Sequence, residues 1–126
     1  MPVANAGAIA GSHIGVYLAV GTVSNSGSIA GANYAIQSNG TGSALITNLP
    51  GGVLQGGIAV AAGASSAVSV SNGGTITGST FGISLQDVGS VTNAAGAVIL
   101  GGKLAPVGTV YSAIYLGNGE IGRAHV

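Results

Sequence analysis

Few side chains in this chain could do chemistry. The carboxylates are Asp87 and Glu120, the basic side chains Lys103 and Arg123, and the imidazoles His13 and His125. Glycoside hydrolysis needs two carboxylates flanking one bond, and Asp87 and Glu120 are the whole supply. Lyase chemistry needs several carboxylates around calcium plus a strong base, and these are missing. Asp87, in Gln86-Asp87-Val88-Gly89, reads as a turn aspartate capping local N–H groups. Lys103 stands alone in a glycine-rich loop and reads as solvated. His13, in Ser12-His13-Ile14, has no second histidine, cysteine or carboxylate at ligand spacing, so it reads as a surface corner residue and not a metal ligand. No G-x-S-x-G elbow presents a serine nucleophile. Gly51-Gly52 and Gly73-Gly74 lack the following Gly-Lys-Ser/Thr of a phosphate loop. A calcium-binding nonapeptide array needs an aspartate in every turn, and the chain has one. Asn39-Gly40-Thr41 reads as a turn, its match to a glycosylation sequon being chance. The expectation is a non-catalytic chain with no cofactor and no metal.

Composition narrows the classes further. Of 126 residues, 47% are hydrophobic, 3% are charged, 25 are glycine and none is cysteine, with a formal net charge of zero. An average soluble domain is about 25% charged. Two basic residues cannot hold a phosphate backbone, which excludes nucleic acid as a partner. Disorder needs more charge and fewer apolar residues. No apolar run approaches the ~20 residues of a membrane helix. Met1-Pro2-Val3 shows neither the basic nor the apolar region of a signal peptide.

The informative feature is repetition. Apolar-x-Asn occurs five times, at Val3-Ala4-Asn5, Val23-Ser24-Asn25, Ile46-Thr47-Asn48, Val70-Ser71-Asn72 and Val91-Thr92-Asn93, with asparagine steps of 20, 23, 24 and 21 residues. An aliphatic-x-Gly unit follows each: Ile9-Ala10-Gly11, Ile29-Ala30-Gly31, Leu54-Gln55-Gly56, Ile76-Thr77-Gly78 and Ile99-Leu100-Gly101. A third unit reads Val16-Tyr17-Leu18, Ile36-Gln37-Ser38, Ile58-Ala59-Val60, Ile83-Ser84-Leu85 and Ile114-Tyr115-Leu116. Alternation with period two sends the aliphatics inward and Ala4, Ser24, Thr47, Ser71 and Thr92 outward. Repeats this short are stable only when stacked.

The pattern therefore predicts an all-β, single-stranded parallel β-helix (β-solenoid). It should hold about five three-sided coils of 20–24 residues, about 20–25 Å in all. Val3, Val23, Ile46, Val70 and Val91 should form one core ladder, and Ile9, Ile29, Leu54, Ile76 and Ile99 another. Asn5, Asn25, Asn48, Asn72 and Asn93 should form a corner ladder bonding neighbouring coils and turn backbone. Glycines should supply positive-φ corners. Extra residues at 38–44, 61–67 and 102–112 should bulge outward and leave the ladders intact. Tyr17 and Tyr115 should point outward, with Tyr34 and Phe81 just before that strand, covering the corner. The chain reads as an uncapped fragment whose open edges invite self-association. Short strands bounded by turns also suit an antiparallel sandwich, which does not explain the five-fold spacing.

Segments such as Val70-Ser71-Asn72-Gly73-Gly74-Thr75-Ile76-Thr77-Gly78, Phe81-Gly82-Ile83-Ser84-Leu85 and Val91-Thr92-Asn93-Ala94-Ala95-Gly96 resemble bacterial autotransporter passenger domains. The resemblance covers nearly all of residues 3–119. It implies a right-handed parallel β-helix at the bacterial cell surface or outside the cell, non-catalytic, acting as a stalk or adhesin. Its implied partners are a host-surface protein or glycan and an outer-membrane β-barrel C-terminal to this sequence. Two-partner secreted haemagglutinin-like proteins use similar coils. A polysaccharide-acting β-helix with its active coils elsewhere, or a self-associating fibre-forming solenoid, are the alternatives. Glu120-Ile121-Gly122-Arg123-Ala124-His125-Val126 breaks the repeat and resembles the in-frame translation of a sequencing adapter. The expected division is 1–119 as repeat and 120–126 as non-native tail.

Overall fold

A computed structural model describes residues 2–63, 66–86, 89–102 and 113–116. Its elements among these are all strands: β1 Pro2–Asn5, β2 Ala8–Gly11, β3 Ile14–Leu18, β4 Gly21–Asn25, β5 Ser28–Gly31, β6 Tyr34–Ser38, β7 Ser43–Asn48, β8 Val53–Ala62, β9 Ala67–Asn72, β10 Thr75–Leu85, β11 Gly89–Asn93, β12 Val98–Leu100 and β13 Ile114–Leu116. No described helix is long and apolar enough to cross a membrane.

Every strand pairing among the described residues is parallel, which excludes the antiparallel sandwich. The apolar-x-Asn segments stack as one five-stranded sheet, β1-β4-β7-β9-β11. The remaining strands form a second sheet, in which β12-β10-β8-β5-β2 carries the aliphatic-x-Gly ladder. β3, β6 and β13 continue that sheet along the third segment. Five stacked first-segment strands enclose about four turns of a β-solenoid.

Register places equivalent residues on top of each other. Val3, Val23, Ile46, Val70 and Val91 are consecutive partners. So are Ile9, Ile29, Leu54, Ile76 and Ile99. The inner members of both ladders and Val91 are buried, while Val3, Ile9 and Ile99 are only partly covered, as is Ile114 of the third segment. Each buried Val, Leu or Ile side chain contributes about 1.5–3 kcal/mol of transfer free energy. A coil gains it only through its neighbours.

The third segment differs from expectation in the third coil. Val16, Ile36, Val60, Ile83 and Ile114 are the stacked set, so this coil contributes Val60-Ala61-Ala62 and not Ile58-Ala59-Val60. Ile58 instead pairs with Tyr34 and Phe81. A shift of two residues preserves the inward-outward alternation, so period two cannot detect it. The cause is a shorter corner. A single residue, Gly57, separates Gly56 from Ile58, whereas Ser79 and Thr80 separate Gly78 from Phe81. The Thr80 hydroxyl donates to the Gly57 carbonyl at 2.8 Å across this mismatch.

The second and third segments also run together as β8 and β10 in these coils, so separate short strands persist only in the first two and the last. Gly15, Ala35 and Ala59 lie inside this strand stack, and a Cβ on Gly15 would press on Ile29 at 2.8 Å. The residues beyond Ser38 and Ala62 are corners of four positions each, 39–42 and 63–66, against two at Ala19-Val20. The first-sheet register continues unbroken past them.

Candidate functional site

The asparagine corner is the most ordered polar feature of the described residues. Each Nδ2 donates to the Oδ1 of the next asparagine: Asn5 to Asn25 at 2.8 Å, Asn25 to Asn48 at 3.0 Å, Asn48 to Asn72 at 2.9 Å and Asn72 to Asn93 at 2.8 Å. The same amides donate to carbonyls of the next coil, those of Ser28, Val53, Thr75 and Val98, at 3.0–3.2 Å. Each also reaches a carbonyl of its own corner, at Gly7, Gly27, Gly52, Gly74 or Ala97. Asn25, Asn48, Asn72 and Asn93 are buried. A buried polar side chain is tolerable only when bonded; Asn25, Asn48 and Asn72 are bonded to the coils on both sides, and Asn93 to Asn72 and its own corner.

The corner also absorbs length variation. Two residues join Asn5, Asn25 and Asn72 to the next strand, and four join Asn48 and Asn93. In every case the amide reaches the carbonyl of the residue before the next strand. The longer corners are β-turns, closed by Gly52 N–H to the Leu49 carbonyl at 2.8 Å and Ala97 N–H to the Ala94 carbonyl at 3.0 Å. Their third residues, Gly51 and Gly96, have φ of 85° and 82°. Pro50 before Gly51 suits the second position of such a turn.

Among the described residues most corner glycines do not have positive φ; besides these two, only Gly21 and Gly102 do. Positive φ is thus used at a few corners and not at most of them. Gly11, Gly31 and Gly78 are needed for close approach instead. A Cβ there would overlap the carbonyl oxygen three residues on, in Ile14, Tyr34 and Phe81 respectively.

Gly11, Gly31, Gly56 and Gly57 line an open groove of about 450 Å³ across several coils, with Ala10, Ala30, Gln55 and Ser79 beside them. Backbone and small side chains dominate it. Its described lining holds no acid or base.

Of the side chains that could do chemistry, His13 lies among the described residues. His13 is exposed in the corner between β2 and β3, where its carbonyl accepts N–H groups of Asn33 and Tyr34 at 2.9 and 3.2 Å. No group of three His, Cys, Asp or Glu side chains assembles among the described residues. Asp87, Lys103, Glu120, Arg123 and His125 lie outside the described residues, as do most of the 102–112 loop and the whole 120–126 tail. Tyr17 and Tyr115 are exposed, and Tyr34 and Phe81 half-buried. The Phe81 and Tyr115 rings sit 5.6 Å apart at 41°. Asn39-Gly40-Thr41 falls in the corner after β6.

Two serines matter that the repeat did not single out. The fully buried Ser66 hydroxyl donates to the Gly40 carbonyl at 2.8 Å and accepts the Gly40 N–H at 3.0 Å. It thereby joins the two longest corners of the third edge. Ser38 stacks between Leu18 and Ala62, and its buried hydroxyl has no hydrogen-bond partner. No repeating motif marks either residue, because each acts at one coil only.

No family model, curated protein or solved structure matches the chain.

Proposed function

We propose that the chain is a non-catalytic rod segment of a secreted or surface-exposed bacterial protein, a stalk or adhesive passenger region of the autotransporter kind. The coil is then right-handed, as parallel crossovers almost always are, and three-sided, with one face per short segment. The observation that carries the reading is the in-register stack of five apolar-x-Asn strands, locked by one continuous amide ladder. Such a stack resists bending and lengthens by adding like coils, which suits presenting a surface at a distance. The ladder serves shape and not chemistry, since every amide is engaged by neighbouring coils. Contacts with a host-surface protein or glycan would use outer faces such as the one bearing Tyr17, or the glycine-lined groove.

The test is surface display. The 126-residue chain is fused between an export signal and an autotransporter β-barrel, and intact cells are treated with protease. The expected outcome is a surface-exposed, protease-resistant rod, with adhesion to epithelial cells or immobilised glycans raised above a barrel-only control if the segment is adhesive. Display without adhesion assigns the stalk role. Retention in the periplasm, or rapid degradation at the surface, overturns the reading.

A further inference from the structure

An asparagine followed by glycine is prone to attack by its own backbone, because glycine leaves the next nitrogen unshielded and the chain free to turn. The sequence has three such pairs, Asn39-Gly40, Asn72-Gly73 and Asn118-Gly119, and the last lies outside the described residues. The two described pairs have opposite surroundings. Asn72 is buried, its Nδ2 donating to Asn93, Gly74 and Val98 and its Oδ1 accepting from Asn48 and the Gly74 N–H. The Gly73 N–H is held by the Asn48 carbonyl at 2.6 Å. Reaction at Asn72 therefore requires the ladder to open. Asn39 is exposed in the corner after β6, and no hydrogen bond engages its side chain among the described residues. What holds this pair is its backbone. The Asn39 N–H donates to the Leu18 carbonyl at 3.1 Å, and the buried Ser66 hydroxyl grips Gly40 at both its N–H and its carbonyl, at 3.0 and 2.8 Å.

We propose that Asn39 is a spontaneous modification site, converting through a succinimide to aspartate and isoaspartate, and that Ser66 sets its rate by holding the Gly40 N–H. The step needs water alone as co-reactant. The Gly40 nitrogen gives its proton to solvent base and attacks Asn39 Cγ. The N–Cγ bond forms, the Cγ–Nδ2 bond breaks, and Nδ2 takes a proton and leaves as ammonia. Water then opens the ring at Cγ to give aspartate, or at the Asn39 backbone carbonyl carbon to give isoaspartate. The Ser66 grip opposes the first event in two ways. It favours the protonated nitrogen, and it keeps the peptide plane from turning toward Cγ. Closure waits for Ser66 and Gly40 to part, a local opening. The product suits the fold, since the corner between β6 and β7 carries no ladder residue. At Asn72 the same conversion would remove the donor to Asn93.

The full chain is incubated at mildly alkaline pH and digested, and each site is read by peptide mass and by enzymatic methylation of isoaspartate. The same chain in urea gives the reference, where both pairs, each followed by glycine, should react alike. In the folded chain Asn39 should convert while Asn72 stays intact. Conversion at Asn72 as fast as at Asn39 overturns the site. Ser66→Ala should speed Asn39 about tenfold and leave Asn72 unchanged. An unchanged rate at Asn39 removes the role of Ser66, and equal acceleration at both sites means general loosening; either overturns the gate. Ser66→Cys, close in shape but a weaker acceptor, reads the same rate if circular dichroism shows that alanine costs the fold. It should speed Asn39 less than alanine does, and no acceleration again refutes the grip.

Discussion

Asn48 shows what one side chain can hold. Its amide donates to Gly52, Thr75 and Asn72, and its Oδ1 accepts from Asn25, all in a buried corner. Asn48→Ala strands groups on both neighbouring coils, and each unmet buried group costs about 1–3 kcal/mol. The expected loss in urea denaturation is roughly 2–4 kcal/mol. Asn5→Ala, at a partly exposed end, should lose only about 1 kcal/mol. Equal losses at both sites would show that burial does not set the ladder's value. Ser38 predicts the opposite sign. Its hydroxyl is buried without a partner, so Ser38→Ala should leave stability unchanged or raise it by up to about 1 kcal/mol. Ser66→Ala, which removes two bonds to Gly40, should cost about 1–2 kcal/mol. The five asparagines are legible in sequence because each coil repeats them. Ser38 and Ser66 are not, because a single coil's neighbours decide whether a serine is satisfied.

At the scale of elements, the corners separate two uses of glycine. Gly51 has positive φ with open space around it, so Gly51→Ala meets only backbone strain, about 1–2 kcal/mol. Gly31 meets no such strain, but a Cβ would overlap the Tyr34 carbonyl and press on backbone of the preceding coil. Gly31→Ala must move backbone that β5 and β6 hold in register, and should cost more than Gly51→Ala. Gly7, with nothing near its Cβ position, should accept alanine within about 0.5 kcal/mol. Thermal melts of the three variants check the order, and a Gly31→Ala variant as stable as Gly7→Ala would refute the close-approach argument. Pro50-Gly51 announces its turn type by residue identity. The crowding at Gly31 depends on a carbonyl three residues later and a neighbouring coil, which no local pattern reports.

The whole molecule is close to one-dimensional. β7 and β9 are paired on both edges, whereas β1 and β12 each have one neighbour among the described strands. In such a stack stability is a sum of coil terms and nearest-neighbour terms, and ends fray first. Hydrogen exchange should therefore find the amides of β7 and β9 far better protected than those of β1 and β12. Uniform protection along the stack would mean either one cooperative unit or ends that are not open.

Stacking was determined by the sequence because its information repeats. Five copies of apolar-x-Asn at intervals of 20–24 residues, with period-two alternation, suit parallel coils and place ten core residues and five amides in line. The third segment was decided only in three dimensions. Ile58-Ala59-Val60 and Val60-Ala61-Ala62 have the same alternation, and the choice between them rests on Gly57 making a shorter corner and on Tyr34 and Phe81 stacking with Ile58. The direction of the amide ladder was likewise hidden. An asparagine carries both donor and acceptor, and only its placement between two coils settles which end of the rod gives the bond and which receives it.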